Sequence, residues 1–377
     1  MARDLEEKKL TLLAELRNYE DGIKTSKGKG KGAQDPHMIP MDTRVEVTLE
    51  PNEAAHCVDL VISSTTYTVV QLVAVFNDQI FEGSESLVTA PDEPAATVRV
   101  QLSPTKDVST VLNIKALVGN RGSNVFHVFE MEQKLSKFSM YVPRPEVSTV
   151  PESSVVFQVH ERPNRIGMWL QSAFAVPESA MQVDANTLLA RFVSLRDGKP
   201  MVLSLDANGR MAVATHSMEA AGEIVQELAA YLQVTELEAV AHFPSEMAEF
   251  EKVLAAVDEF NQTRLKLTAE MADSSNLLKS LVIKAEDARI LGEMKLMQQI
   301  YANLFDLNRD LILEHTKRTT NHTQLLAALK NVNQMIQKAA RLRVGSHKMR
   351  LVSDARAAIK SNSIQKLFRI IERGVAE

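Results

Sequence analysis

The sequence holds one cysteine, Cys57, in 377 residues. A single thiol excludes an internal disulfide and every metal site built from several cysteines, and it fits a reducing compartment. Aromatic residues make up 5% and the formal net charge is −5. Both argue against general binding of nucleic acid, which draws on positive charge and on rings that stack against bases. No apolar run approaches ~18 residues, so nothing reads as a membrane-spanning helix. The charged N-terminus does not read as a secretory signal. The patterns GxSxG, GxGxxG and HExxH are missing. The histidines (His37, His56, His127, His160, His216, His242, His315, His322 and His347) fall at no metal-ligand spacing. His56 and Cys57 are expected as neighbours in a strand, pointing to opposite faces, which excludes a nucleophile–base pair. Glu286 and Asp287 diverge by about 100° on a helix, which does not suit a shared acid–base site. These absences point to no catalysis, no cofactor and no metal.

One further absence organises the chain. From Ser245 to Val344 there is no proline, and Gly292 is the only interior glycine. These two residues punctuate elements, so their lack predicts long helix. The apolar positions Phe250, Val253, Val257, Phe260, Leu267, Met271, Leu278, Leu281, Ala285 and Ala288 step by threes and fours, with Arg264 and Ser274 interrupting. That spacing is a heptad seam, which keeps one stripe against a partner helix. The partner is either the second half of the same hairpin or another subunit, and both readings stand on the pattern. After Ala288 the stripe shifts to Leu291, Met294, Met297, Tyr301, Leu304, Leu307 and Leu311, which predicts a bend near Gly292. Thr319-Thr320-Asn321 reads as a turn, with Asn321 and Gln324 as a capping box. A second arm then carries Leu325, Leu329, Val332, Ile336 and Ala339, giving a hairpin of unequal arms.

Before this rod the chain reads as several pieces. Residues 1–21 read as a coiled-coil helix with Leu5, Leu12, Leu16 and Tyr19 near one face, too narrow to fold alone. Residues 22–37 alternate glycine with Lys24, Lys27, Lys29 and Lys31 and read as a flexible basic linker. A phosphate-binding loop is excluded there by the missing GxxxxGK[ST] spacing. Residues 38–142 predict short strands at 44–49, 57–63, 67–77, 97–102, 111–118 and 125–129. Pro51-Asn52, Pro91-Asp92 and Gly119-Asn120-Arg121-Gly122 provide turns. About seven strands over such a length suggest an immunoglobulin-like sandwich.

Pro143, Pro145 and Pro151 mark a junction. Residues 152–244 predict an α+β domain with strands at 154–160, 165–170, 188–195, 201–205, 211–215 and 238–243. Asn208-Gly209 provides a hairpin turn. Ser217 caps a helix that reaches Tyr231, and Trp169 is expected in the core. Ser245 is expected to cap the long first helix of the helical hairpin over residues 245–344. Residues 345–377 predict two short helices capped by Ser353 and Ser363. Lys and Arg dominate from Lys338 onward, so Arg341, Arg343, Lys348 and Arg350 are candidates for contact with an anionic surface, against the plainer reading of a solvated face.

Several segments resemble the Bardet–Biedl syndrome protein 2 family of BBSome subunits. They are 12–20 (LLAELRNYE), 126–130 (FHVFE), 138–141 (FSMY), 285–289 (AEDAR), 306–311 (DLNRDL), 321–323 (NHT) and 341–345 (RLRVG). They run in order over almost the whole chain. The resemblance implies an adaptin-appendage-like sandwich, a platform domain, a helical hairpin and a C-terminal helical end. It further implies a β-propeller before Met1, which this sequence lacks, and a shorter linker than 22–37. The implied role is a non-catalytic adaptor in a coat-like complex moving membrane proteins to and from cilia, recruited to membranes by a small Arf-like GTPase that contacts another subunit. Implied partners are Bardet–Biedl subunits 7 and 9, chaperonin-related assembly factors and ciliary membrane-protein cargo. Implied locations are cytoplasm, cilium, ciliary membrane and basal body. The alternative is a stand-alone appendage-type membrane module acting through the basic end. The residues expected to bind partners are Leu12, Leu16, Val257, Phe260, Leu267, Met271, Leu278 and Leu281.

Overall fold

The computed structural model describes residues 9, 13, 39–40, 42–65, 68–81, 83–120, 125–146, 149–361 and 363–374. Leu12, Leu16, the body of the expected first helix and the basic linker lie outside the described residues. The fold is multidomain α+β, and the chain forms two compact units.

The first unit comprises 1–144, 170–180 and 192–199. Its strands are β1 (Val45–Asn52), β2 (Cys57–Ser64), β3 (Thr68–Phe76), β4 (Ser86–Thr89), β5 (Thr97–Leu102), β6 (Thr110–Asn120) and β7 (Phe126–Leu135). They make two antiparallel sheets, β1-β2-β5 and β4-β3-β6-β7. Leu60, Ile62, Val73, Val75, Val100, Leu112 and Ile114 pack together between them. The alternation of β5, with Val98, Val100 and Leu102 buried and Thr97, Arg99 and Gln101 exposed, is the period-2 signature of a half-buried sheet. His56 is not in a strand, contrary to the reading above. It sits in the β1–β2 turn at φ 53°, and its Nδ1 lies 2.8 Å from the Leu195 carbonyl. Phe138, Phe174 and Phe192 stack within this unit, with centroids 4.6 and 4.5 Å apart.

The second unit comprises 145–169, 181–191 and 200–377. Its strands are β9 (Ser154–Gln158), β10 (Gln182–Val183), β11 (Leu188–Ser194), β12 (Pro200–Leu205), β13 (Arg210–Thr215) and β14 (Ala239–His242). The sheet order is β10-β11-β12-β13-β9-β14. The division between units runs through β11, whose last residues pair with β8 (Tyr141–Pro143) inside the first unit. Asn208-Gly209 turns β12 into β13, with Gly209 at φ 75°. Residues 165–170 are not a strand. They lie in helix α1 (Pro163–Phe174). Proline at the first helical position favours that start. Ile166, Trp169, Leu170 and Ala173 are buried, at helical rather than alternating spacing, while Met168 is exposed.

Helix α2 (Met218–Leu232) is capped by Ser217, whose hydroxyl accepts from the Ala220 amide. Its buried face is Ala221, Ile224, Val225, Leu228 and Leu232, and Tyr231 points outward. Helix α3 (Pro244–Ile290) starts on proline after Phe243, so Ser245 is inside the helix and caps nothing. Helix α4 (Met294–Arg341) runs without a break through Thr319, Thr320 and Asn321. The only reversal is Leu291–Glu293, with Gly292 at φ 74°, so the arms are nearly equal, 47 and 48 residues or ~70 Å each. The turn residues at 319–321 misled because two hydroxyls and an amide look like a loop. In the helix each threonine hydroxyl donates to a carbonyl one turn back, His315 for Thr319 and Thr316 for Thr320.

Helices α5 (Ser346–Lys360) and α6 (Ile364–Arg373) complete the second unit. Ser353 is interior to α5, not its cap. Ser363 does precede α6, though its side chain makes no capping bond. The base of α4 is fastened to α2. Glu219 and Glu223 pair with Lys338 (3.2 Å) and Arg341 (2.7 Å). Gln226 Nε2 donates to the Arg341 and Arg343 carbonyls at 2.7 and 2.9 Å. Gly222 permits this approach, since a Cβ there would lie 3.0 Å from the Arg341 Cβ. Gly222→Val is expected to cost about 2 kcal/mol by forcing the two helices apart. An unchanged urea midpoint for the full chain would show that the contact is loose.

Candidate interaction surfaces

Among the described residues no group of three or more His, Cys, Asp or Glu could hold a metal ion. Cys57 is 1% exposed, and its Sγ donates to Asp59 Oδ1 at 3.5 Å. Burial, and then the carboxylate beside it, push the thiol up, away from the reactive thiolate. Glu286 is tied to Arg289 at 2.8 Å and accepts from the Tyr301 hydroxyl at 3.3 Å. No described helix is long and apolar enough to cross a membrane.

The basic candidates do not form one surface. Arg343 is 0% exposed. Its Nη2 donates to the carbonyls of Ile371 and Glu372 at 2.9 and 3.1 Å, so it closes the C-terminal end of α6. Such a position suits a cation, because the carbonyls there are unpaired and the helix dipole is negative. Burial lowers its pKa to about 10, against the opposing charge of Glu238, which leaves it charged at neutral pH. Arg341 is engaged by Glu223, and Arg350 lies 3.8 Å from Asp354. Lys348 is half-buried. The expectation of an anionic-surface contact at Arg343 is therefore corrected.

The expected seam is found on α3 with a definite direction. Val257, Phe260, Leu267, Met271, Leu278 and Leu281 are all half-buried. Met271 Sδ accepts from Arg318 Nη1 on α4 at 3.6 Å, and Asn321 Nδ2 donates to the Phe260 carbonyl at 3.0 Å. The matching row on α4 is Met297, Ile300, Leu304, Leu307 and Leu311, half-buried, then Leu325, Ala328, Val332 and Ile336, buried. The hairpin is thus closed on itself by its a and d positions. Full burial begins only near its base and beside the turn, at Ala285 and Ala288.

What the seam leaves over is unusual. Leu265, Leu277, Ile283, Ile290, Leu291, Met294, Phe305, Ile312 and Leu313 each expose more than half of their surface. Scattered exposed apolar residues are normal, but their number along this arm makes it a candidate interaction surface. The sequence reading placed Leu291, Met294 and Tyr301 in one stripe with Met297, Leu304, Leu307 and Leu311, but the first three are exposed while the others face the seam. The signal was the second set of apolar residues, offset from the first.

A seven-stranded sandwich, an α+β sheet domain, a two-helix arm and a closing helix pair define a multidomain scaffold whose largest element presents surface. Four family models match in succession. They are the BBS2 GAE domain over 52–138, the BBS2 platform domain over 138–232, the BBS2 hairpin over 244–341 and the BBS2 C-terminal helix bundle over 347–372. The chain belongs to the BBS2 family. It is 39% identical over 381 residues to the BBSome complex member BBS2 of Danio rerio, covering 99% of this chain and 52% of that protein. The Mus musculus relative is 40% identical over all of this chain and 53% of its own length. The Caenorhabditis elegans relative bbs-2 is 25% identical, with 100% and 54% covered. The chain thus spans about half the length of the curated relatives it matches.

Proposed function

We propose that this chain is a non-catalytic subunit of a BBSome-type complex that works by binding other subunits. Its role within that complex is to space partners in an adaptor that moves membrane proteins to and from cilia. Bardet–Biedl subunits 7 and 9 are its expected neighbours, with chaperonin-related factors in assembly and cargo contacted through the whole complex. The expected locations are cytoplasm, cilium, ciliary membrane and basal body. The observation that carries this reading is the two-helix arm, closed along one seam yet apolar on its outside. Burial of such surface at ~25 cal/mol per Å² is the driving term for assembly. Family membership supports the same reading.

The test is the mass of the chain in solution, alone and co-expressed with subunit 7, with Leu278→Asp/Leu281→Asp alongside. A heteromer is expected for the native sequence. The paired substitutions place two carboxylates in the seam against α4. They should lower helix content and heteromer yield together. Loss of the heteromer with helix content intact would instead assign the α3 seam directly to the subunit interface. A well-behaved monomer that ignores subunit 7 would sink the pairing.

A further inference from the structure

The two sheets of the sandwich meet at one corner, where Val70 of β3 bridges Ala95, just before β5. From that corner β2 and then β1 follow β5 in one sheet, and β6 and then β7 follow β3 in the other. β1 and β7 are therefore the two edges of one side, opposite the corner. Their inward residues are covered incompletely. Val45, Val47 and Leu49 of β1 and Phe129 and Met131 of β7 pack against the core yet stay half-buried. One strand further in, Leu60 and Ile62 of β2 and Leu112, Ile114 and Ala116 of β6 are fully buried. The sandwich is open along this side, with an apolar row on each lip.

Natural edge strands are kept from further pairing by shortness, proline, bulges, cover or charges that point inward. β4 has four residues, β1 carries Pro51, and β5 lies at the closed corner. β7 has none of these devices. Its ten residues pair with β6 in unbroken register, from Phe126 opposite Gly119 to Leu135 opposite Thr110, and none is proline. The inward positions His127, Phe129, Met131, Gln133 and Leu135 carry no Lys, Arg, Asp or Glu. Among the described residues β6 is its only strand neighbour. In an antiparallel pair about every second residue turns its N–H and C=O away from the partner. The outer side of β7 thus presents donors and acceptors at strand spacing, beside an apolar row of period two. A helix spends its own backbone groups internally and cannot satisfy such a row, whereas an extended chain can.

We infer that the free edge of β7 accepts an extended segment of another protein, which adds a fifth strand to this sheet and closes the open side of the sandwich. The segment alternates. Its inward residues are apolar and pack between Phe129, Met131 and the β1 row. Its outward residues lie beside Val128, Glu130, Glu132 and Lys134. Glu130 is held by Lys115 at 2.8 Å, while Glu132 stands opposite uncharged Asn113, so lysine or arginine is favoured next to Glu132. A second copy of this chain is disfavoured. Antiparallel pairing of β7 with itself, centred on Glu130, Met131 or Glu132, sets glutamate opposite glutamate, which destabilises a sheet. The inference concerns the sandwich and goes beyond the assembly reading, which rests on the arm.

The experiment uses the purified full chain and three synthetic peptides of about nine residues, the length of the strand. The first alternates valine with lysine and threonine. The second is the same sequence methylated on its backbone nitrogens, which removes the donors and keeps the side chains. The third has glutamate in place of lysine. In the free chain about half of the amides over 126–135 should exchange fast, because they face outward. The lysine peptide should bind and slow that exchange. The methylated peptide should bind at least about tenfold more weakly, as the loss of several backbone hydrogen bonds requires. Glu132→Lys should shift the preference toward the glutamate peptide. Met131→Lys sets a charge on the inner lip and should weaken the lysine peptide at least about tenfold. If that variant fails to fold, the methylated peptide still decides. No binding, equal binding of the methylated peptide, or protection that appears away from β7 overturns the proposal. So does a monomeric free chain whose 126–135 amides are already all protected, or a dimer that Met131→Lys dissociates. The peptides need no subunit 7, so this test and the co-expression fail separately.

Discussion

Replacing Arg343 with alanine is expected to lower the unfolding free energy by about 3 kcal/mol, because one buried and one half-buried carbonyl at the end of α6 lose their donor. The guanidinium is 0% exposed and bonds Ile371 and Glu372, with a further, longer bond of 3.4 Å from Nη1 to the Ala339 carbonyl. One side chain therefore connects the end of α4 to the end of α6. Gly374, at φ 81°, lets the chain leave α6 directly over it, and a Cβ there would lie 2.8 Å from Arg343 Nε. Lysine restores the charge but offers one nitrogen where the fork offers several. Arg343→Lys should recover less than half of the loss. Urea unfolding of the full chain reads both variants, and hydrogen exchange of α6 amides should show the release locally. If Arg343→Ala matches the native midpoint, the guanidinium is not the closing contact.

Arg343 also shows what sequence pattern carries and what it does not. In a run rich in Lys and Arg, one basic residue looks like another. Only the return of α6 to the end of α4 distinguishes the buried guanidinium from exposed Arg350. The sandwich was legible because its strands are half-buried, so alternation survives in the sequence, as in β5. The α3 seam was legible because its partner is an adjacent helix of the same period. Its partner row was read only in part, since threonines at 319 and 320 and the amide of Asn321 imitate a turn. Asn321 is in fact buried against Phe260, and its bond to that carbonyl ties one register of the hairpin. Helix α1 was misread because Ile166, Met168 and Leu170 alternate by chance. Trp169 and Ala173 settle the period, and the proline before them gave the start. The outer face of α4 was hidden for the opposite reason. Its apolar residues were visible, but Met294 and Tyr301 were read into one stripe with Met297, Leu304, Leu307 and Leu311.

Gly345 is expected to tolerate no side chain. It sits at φ 71°, ψ −135° directly before α5, a backbone region that strains any residue with a Cβ. A Cβ built there would lie 2.2 Å from the Thr235 carbonyl oxygen and 3.2 Å from Glu236 Cγ. Neither neighbour is free to yield. Leu237 and Val344 exchange backbone bonds of 3.3 and 3.1 Å beside it, and Ser346 donates to Glu236 at 3.0 Å. Gly345→Ala must therefore break this bridge or move the start of α5, at a cost of about 3 kcal/mol. The loss should be regional before it is global. The segment holding α4 to the strand domain also positions Arg343, so α5 and α6 should exchange amide protons together while the β12–β13 hairpin keeps its protection. Gly345→Ala combined with Arg343→Ala should cost less than the two single losses added, since both release the same pair of helices. Strict additivity would show that the two contacts act on separate cooperative units, and the C-terminal helices would then be held by Phe250 and its 6.3 Å approach to Phe368 instead.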